Sequence, residues 1–224
     1  MIKISGKTLI QRQLEIFYTL GIKETALVRG YMPKSFPFAV RYFENKDWYK
    51  TNMVRSLMAA DEWLKSDTCI VNYSDIIYEK KLIQSILIAE GDISITYDIN
   101  WLKLWQYRFY DPLSDAETFK TDENGKLVEI GNRAETVEEI QGQYMGVLKC
   151  TVQGWEMVRS CLLQLSKSTL DKMDMTSLLN ILIQKNINIR TVPYDKLWCE
   201  IDSEKDLRLA ENIFTKRSEA IINE

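Results

Sequence analysis

The sequence contains no histidine, and this absence excludes several kinds of chemistry. Without an imidazole there is no Ser-His-Asp or Cys-His arrangement, no histidine-ligated zinc site and no ordinary general base for neutral pH. Any chemistry must therefore rely on carboxylates, hydroxyls and lysines, or on a hard metal ion bound through oxygen atoms.

Long apolar runs are also missing. No stretch approaches the roughly 20 apolar residues of a membrane-spanning helix, and the opening MIKISGKTLIQRQ has no apolar run of signal-peptide length. No two cysteines form a CxxC pair, and a chain of this size needs no disulfide staples. We therefore expect a cytoplasmic protein without a membrane partner. Its reduced thiols would be Cys69, Cys150, Cys161 and Cys199.

Charge of one sign is not concentrated anywhere. The net charge is -3, and acids and bases alternate without a basic stripe or a like-charge block. Nucleic-acid binding requires such a stripe, so we expect no nucleic-acid partner. With 224 residues, 46% of them hydrophobic, the chain can bury one large core. We find no linker or repeat and predict a single domain, 1–224.

Strand and helix signals alternate along the chain and predict an α/β fold with a layered α/β/α sheet. The run TCIVNY has the continuous β-prone character of a central parallel strand covered on both faces. The predicted helices are 7–20, 53–65, 80–89, 154–165, 175–185 and 204–214. The predicted strands are 25–29, 39–43, 68–73, 93–97, 143–149 and 188–192, the last of them stopped by Pro193.

A β-hairpin interrupts this alternation. Residues 117–121 and 126–130 have strand character, and Asn124-Gly125 between them is a typical hairpin turn. The simplest interpretation is one domain with a β-hairpin insertion.

Two aspartates follow predicted strands and are candidates for a metal site. Asp75 comes just after the buried run 68–73, and Asp202 follows the short strand that ends in Glu200-Ile201. Open α/β sheets place ligands at the carboxyl ends of their strands, where carboxylates can hold magnesium against phosphates. Asp75 could equally be a turn or N-cap residue, and Asp202 alone is better explained as a helix cap, but the pair is more persuasive than either member.

Two further segments could bind ligands. Thr51-Asn52 opens the helix of TNMVRSL and could contact a base or phosphate, although an N-cap explains it equally well. Residues 98–117 concentrate aromatic and acidic side chains, which suit a cationic ligand. The alternative is that these aromatics pack in the core.

Five segments occur in one order from about residue 4 to residue 213: SGKTLIQRQLE, VRGY, WYKTNMVRSL, VNYSDIIYE and WCEIDSEKDLRLAE. Together they resemble the phosphocholine cytidylyltransferase-like nucleotidyltransferases of the sugar-phosphate nucleotidyltransferase superfamily. TNMVRSL, DPLSDAE and GQYMGV are similar to a branch associated with decoration of surface polysaccharides or phosphonates. The resemblance implies a three-layer α/β/α, Rossmann-like nucleotidyltransferase sheet.

The resemblance also implies roles for particular residues. Asp75 matches the aspartate that binds Mg2+, although Ser74 stands where a glycine is usual, and Asp202 matches the second metal-binding aspartate. Asn52 and Ser56 match a region that approaches the nucleotide. Trp101, Asp111 and Asp115 match, more weakly, a region that faces the acceptor.

The function that the resemblance implies is transfer of a nucleotidyl group, with CTP favoured, to a small phosphorylated acceptor such as a phospho-alcohol or phospho-amine. Pyrophosphate is released, Mg2+ is the cofactor, and a homodimer is compatible with the family. One alternative is a sugar-1-phosphate nucleotidyltransferase, and the other is a non-catalytic binding paralogue.

One departure concerns the start of the chain. Family members begin with a central strand and a glycine-rich loop that carries the catalytic arginine and, farther on, a lysine. This sequence opens immediately before SGKTL, so those residues are expected upstream of Met1. Loss of the strand would leave ladder groups unpaired and a groove in the core. We expect a start codon assigned too late or a fragment, rather than a degenerate paralogue.

Overall fold

The computed structural model describes the backbone of residues 1–222 and the side chains of residues 1–214. Helices and strands alternate as the sequence predicts. The strands are β1 (Lys3–Ile4), β2 (Lys7–Thr8), β3 (Ala26–Arg29), β4 (Arg41–Glu44), β5 (Cys69–Asn72), β6 (Ile76–Tyr78), β7 (Ile93–Asp98), β8 (Glu117–Thr121), β9 (Leu127–Arg133), β10 (Gln143–Cys150), β11 (Arg190–Tyr194) and β12 (Trp198–Glu200). The helices are α1 (Leu9–Thr19), α2 (Met53–Met58), α3 (Asp61–Leu64), α4 (Lys81–Leu87), α5 (Trp101–Arg108), α6 (Val152–Leu162), α7 (Lys167–Lys172), α8 (Met175–Gln184) and α9 (Glu204–Ile222).

The central sheet has four strands in the order β11-β7-β10-β5. β11 runs parallel to β7, and β10 runs antiparallel to both β7 and β5. Two-stranded ladders surround this sheet: β3 with β4 in parallel, and β6 with β12, β8 with β9 and β1 with β2 in antiparallel fashion. The β8–β9 hairpin turns at Gly125, whose φ of 72° suits glycine.

Apolar side chains cover both faces of the central sheet. On one face, α2, α6 and α8 contribute Val54, Trp155 and Leu178 to one buried cluster. On the other face, α4 and α5 contribute Ile83 and Trp105 to a second cluster. The predicted α/β/α layering is confirmed, because a sheet that is apolar on both faces has to be covered on both.

Local capping interactions mark the two ends of the first helix, α1. Thr8 and Gln11 form a capping box in which the Gln11 amide donates to the Thr8 hydroxyl and the Thr8 amide donates to the Gln11 side chain. At the other end Leu20 is the C-cap, and Gly21 follows it with a φ of 79°.

Three local predictions were wrong. β11 continues through Pro193, which is tolerated because β11 is an edge strand of the central sheet and an edge residue can lack its N–H. The predicted helix 53–65 is two helices, and Asp61 at the start of the second accepts a hydrogen bond from the Trp155 indole at 2.8 Å. Residues 101–108 form the unpredicted helix α5.

The position of β5 also differs from the prediction. It pairs with β10 on one side only and forms an edge of the central sheet rather than a central strand. Its other edge faces a cleft.

Candidate active-site cleft

A cleft of about 860 Å³ separates β3 from β5. Helix α1 covers it on one face of the sheet, and α2 and α3 cover it on the other. Three carboxylates line the cleft at the carboxyl end of β5: Asp75, Glu200 and Asp202. This end therefore has the position at which open α/β sheets bind ligands.

Pairing of β6 with β12 brings these distant residues together. The two strands are antiparallel, with Ile76 opposite Glu200. Just beyond the ladder, the Ile201 amide donates to the backbone carbonyl of Asp75 at 3.0 Å. Asp75 and Asp202 are thus neighbours in space, although 126 residues separate them along the chain.

Asp75 has unsatisfied hydrogen-bonding capacity. Within the described part of the chain, its buried Oδ1 atom accepts no hydrogen bond. Burial raises the pKa of the Asp75 carboxyl, and the nearby Asp202 charge raises it further. A buried carboxylate oxygen without a donor suits a cationic ligand.

Arg108 binds the neighbouring acids. Its guanidinium is 1% exposed and contacts Glu200 at 3.2 Å, Asp202 at 2.7 Å and Asp206 at 3.1 Å. Each of the three guanidinium nitrogens donates to one of these carboxylates. Sequence reasoning missed Arg108, because nothing local links helix α5 to the 200–206 segment.

Glu200 is the second residue that sequence reasoning did not assign. Burial, together with the Asp202 charge, raises the pKa of Glu200 to about 7 despite the opposing Arg108. A signal was available: Glu200 and Asp202 are two residues apart, and alternate residues of an extended segment lie on one face.

Gln13 holds the backbone on both sides of Asp75. Its side-chain amide donates to the carbonyls of Tyr73 at 3.0 Å and Ile76 at 2.7 Å. Gln13 is 6% exposed and lies on the buried face of α1. A polar residue on that face was the available signal.

The start of α2 lies at the side of the cleft. Ser56 lines it, and its hydroxyl accepts from the Asn45 side chain at 3.1 Å. Asn52 is the N-cap of α2, and its side-chain amide donates to the Lys172 carbonyl at 3.2 Å. The structure therefore brings Ser56 to the cleft and uses Asn52 as a cap.

The predicted acceptor residues lie away from the cleft. Trp101 is 4% exposed, and its indole donates to the Ile140 carbonyl within the core. Asp115 accepts from the Trp105 indole at 2.9 Å, and Asp111 caps a short 3-10 turn by accepting from Leu113. Trp101 and Trp105 pack in the core because helix α5 turns them inward, whereas Tyr107 and Tyr110 are exposed.

A second group of acids lies beyond Tyr73. Burial raises the pKa of Glu117, and the charges of Asp174 and Asp115 raise it further. Burial also raises the pKa of Tyr73, with smaller contributions from Asp75 and Asp174. Tyr73 is therefore within electrostatic reach of both acidic groups.

Glu117 makes the stability of the folded protein depend on pH. Its folded-state pKa lies above the ordinary value of 4.5, so the folded protein binds this proton more tightly than the unfolded chain does. We expect the free energy of unfolding to fall as the pH rises above about 4.5, and Glu117→Gln to reduce this slope. Urea unfolding from pH 4 to pH 8 measures it. Glu123→Gln, in the exposed hairpin turn, is the matched control, and an equal slope in wild type and Glu117→Gln would contradict the prediction.

Known proteins are similar to this chain in sequence or in fold. No family model matches the chain. A curated relative, the CTP:phosphoglutamine cytidylyltransferase of Campylobacter jejuni, is 33% identical over 227 residues, which cover 93% of this chain and 89% of the relative. The inositol-1-phosphate CTP transferase of T. maritima has a TM-score of 0.74 at 18% identity, with 96% of this chain and 85% of that chain covered. The CTP:phosphocholine cytidylyltransferase of Streptococcus pneumoniae has a TM-score of 0.68 at 17% identity, with coverages of 95% and 87%.

The fold is the Rossmann-like α/β/α fold of these solved nucleotidyltransferases. The identity to the curated relative narrows the class, and the chain belongs to the cytidylyltransferase-like nucleotidyltransferase family. The resemblance noted in the sequence is thereby confirmed, as is its implication of an enzyme. In the part of the chain that the structure describes, no helix is both long and apolar enough to cross a membrane.

Proposed function

We propose that this enzyme transfers a cytidylyl group from CTP to a small phosphorylated acceptor and releases pyrophosphate. The observation that carries the proposal is the acidic end of the cleft, where Asp75, Glu200 and Asp202 come together at the carboxyl end of a sheet strand. The curated relative uses CTP and a phosphorylated acceptor, as its name states.

The reaction fits a chain without histidine. An oxygen of the acceptor phosphate attacks the α-phosphorus of CTP, a new P–O bond forms, and the bond to the bridging oxygen breaks. Pyrophosphate leaves with that electron pair. The attacking phosphate is already anionic near pH 7, so no imidazole base is required. The protein's contribution is to position the two phosphates and to control the charge around them.

Asp75 and Asp202 are the residues that would hold Mg2+. Mg2+ commonly takes one or two protein carboxylates and completes its shell with water and phosphate oxygens. The unpartnered Oδ1 of Asp75 fits this role, and the Asp202 side chain is 59% exposed. The described residues contain no cluster of three or more metal-ligating side chains, so the protein offers a partial shell only. When bound, Mg2+ would offset the phosphate charges.

Arg108 affects the binding of a cation at Asp75 and Asp202. The Arg108 guanidinium donates hydrogen bonds to Asp202 and Glu200. A cation that binds Asp202 therefore competes with the guanidinium. Protonation of Glu200, whose pKa is about 7, weakens its own pairing to Arg108. Ser56 lies at the side of the cleft where a nucleotide would contact α2, and Asn52 supports it as the cap of that helix.

The acceptor belongs to the phospho-alcohol or phospho-amine class. Five acidic side chains and one lysine line the cleft, and this negative character favours an acceptor with a cationic group. The roles of Trp101, Asp111 and Asp115 in acceptor binding stay predictions. A role in the decoration of surface polysaccharides or phosphonates also stays a prediction. The cytoplasmic location stays a prediction as well.

Product analysis tests the proposal. The protein is incubated with CTP, Mg2+ and a panel of phosphocholine, phosphoethanolamine, phosphoglutamine and glucose-1-phosphate. We expect a CDP-linked product and pyrophosphate with a nitrogen-containing acceptor. The assay uses residues 1–224 and the same chain extended by any in-frame codons ahead of residue 1. Turnover of glucose-1-phosphate alone, or of UTP in preference to CTP, would contradict it.

A further inference from the structure

Asp75 lies in a turn that joins two different sheets. The chain leaves the central sheet at the end of β5, Asn72, and enters the β6–β12 ladder at Ile76. Residues 73–75 make this crossing, so neither sheet by itself fixes where the Asp75 side chain lies. The position of the carboxylate therefore depends on the contacts that hold the turn.

One side chain holds this turn on both sides of Asp75. The Gln13 amide nitrogen, Nε2, donates to the Tyr73 carbonyl at 3.0 Å and to the Ile76 carbonyl at 2.7 Å. A side-chain amide has two N–H donors, and both of them have an acceptor here. Because the two carbonyls contact the same nitrogen, their separation is restricted, and the path of the chain through Asp75 is restricted with it.

The other contacts of the turn leave one side of it to Gln13. The Asp75 carbonyl points toward β12, where it accepts from the Ile201 amide at 3.0 Å. Backbone groups of successive residues in an antiparallel ladder point in alternate directions, so the Ile76 carbonyl points away from β12. Helix α1 lies on that side, and Gln13 is the donor that it provides.

Gln13 is itself held in place. It is 6% exposed and lies on the buried face of α1, together with Leu9 and Ile10. A buried amide costs free energy unless its hydrogen bonds are made, and packing beside these neighbours needs only apolar atoms. The amide of Gln13 therefore serves the turn rather than the core.

We propose that Gln13 is a positioning residue for cytidylyl transfer, which holds the turn 73–76 so that Asp75 is in place to bind Mg2+. The inference rests on the proposed function, from which it takes Asp75 as a metal-binding residue. Mg2+ requires its oxygen ligands in nearly ideal positions, and side chains that do not touch the ion orient the ligands that do. Without the Gln13 amide, only a fraction of the molecules would present Asp75 correctly, and the apparent affinity for the metal would fall by that fraction.

Metal binding by Gln13→Met tests this role. Methionine is flexible and of similar length, fits among apolar neighbours and removes both donors. The probe is Mn2+ alone, which takes carboxylate and water oxygens as Mg2+ does, and the readout is the electron paramagnetic resonance signal of the free ion. We expect the Kd for Mn2+ to rise roughly 10–100-fold, the usual effect of removing such a supporting contact. An unchanged Kd in Gln13→Met, or no binding of Mn2+ by the wild type, would overturn the proposal.

Two variants of helix α8 are the controls. Gln184→Met makes the same substitution at an exposed site, where the side chain donates one hydrogen bond, to Asn180 at 3.1 Å. Leu182→Ala opens a cavity at a residue that is 0% exposed and lowers stability without contact to the turn. Both should bind Mn2+ within about twofold of the wild type, because distant sites act independently. An equal rise of the Kd in Leu182→Ala and Gln13→Met would show that general destabilisation causes the effect, and it would contradict the positioning role.

Turnover gives a second measurement. In Gln13→Met, the Mg2+ concentration for half-maximal turnover should rise roughly 10–100-fold. The kcat at saturating Mg2+ should stay within about threefold of the wild type, because the bound ion selects molecules with Asp75 in place. A lower kcat that Mg2+ does not restore, with an unchanged Mg2+ requirement, would refute the role.

Binding of Mn2+ involves neither CTP nor the acceptor, so the two proposals can fail separately. If the wild type used UTP or a sugar phosphate, the proposed function would fail, and the comparison of Mn2+ binding would still test Gln13. If Gln13→Met bound Mn2+ as the wild type does and CTP was turned over, the positioning role would fail and the proposed function would stand.

Discussion

Asp75→Asn is expected to lower cytidylyl transfer by about 1000-fold. The substitution keeps the shape of the side chain and removes a negative charge at the end of the cleft, where the Oδ1 atom lacks a hydrogen-bond partner. A metal ion that stabilises transition-state charge contributes several kcal/mol, and each 1.36 kcal/mol corresponds to a factor of ten in rate. The measurement is steady-state turnover of CTP by wild type and Asp75→Asn over a range of Mg2+ concentrations. It uses a form of the protein in which the wild type is active.

A matched control separates this effect from a general loss of charge. Asp67→Asn changes an exposed carboxylate that lines the opposite end of the same cleft, and turnover should change less than threefold, about the effect of a remote surface charge. Circular dichroism establishes that both variants fold. Wild-type turnover in Asp75→Asn would refute the metal assignment for this residue. An equal loss in both variants would show that total charge, not this position, matters.

Arg108→Met is expected to destabilise the fold by about 3–5 kcal/mol. Removal of one partner from a buried set of ion pairs leaves the remaining charges unpaired. The free-energy cost of those unpaired charges exceeds the net stabilisation that the intact ion pairs contribute. Here the guanidinium is 1% exposed and serves Glu200, Asp202 and Asp206 together. Methionine replaces the aliphatic part of the side chain but loses the guanidinium, which lies over the Trp105 ring at 5.2 Å.

Chemical unfolding of Arg108→Met at several pH values measures this loss. The destabilisation should be smaller at pH 5 than at pH 8, because protonation of Glu200 removes one of the uncompensated charges. Arg208→Met is the control, since Arg208 is 76% exposed in its pair with Glu204 and should cost at most about 1 kcal/mol. A loss in Arg108→Met no greater than that of the control would show that the buried network contributes little.

The sequence predicted some residues of the candidate site and missed others. Strand-end position identified Asp75 and Asp202, and the structure places both at one end of the cleft. Position alone did not identify Arg108, because its partners lie 92 to 98 residues away. The sequence left two alternatives for the aromatic segment, a ligand pocket or core packing, and Trp101 uses its indole N–H inside the core. Composition could not distinguish these two outcomes, since buried aromatic side chains and binding aromatic side chains have the same chemistry.

The fold was predicted where the signal is local. The Asn124-Gly125 turn and the strand character of β5 were predicted, and each depends on only a few neighbouring residues. Predictions were wrong where distant contacts compete with local preference. Pro193 continues a strand because that strand lies at a sheet edge, and the 53–65 helix divides where Asp61 binds Trp155.

By itself, the sequence determined the family, because five ordered segments resemble the cytidylyltransferase-like nucleotidyltransferases, and the lack of histidine excludes an imidazole base. It also determined the alternation of helix and strand, because periodicity records which faces have to be buried. Only the tertiary structure decided which acids meet. Pairing of β6 with β12 joins Asp75 to Asp202, and burial of Arg108 sets the charge around them. Such contacts depend on the burial and charge of groups far apart along the chain, which no local pattern encodes.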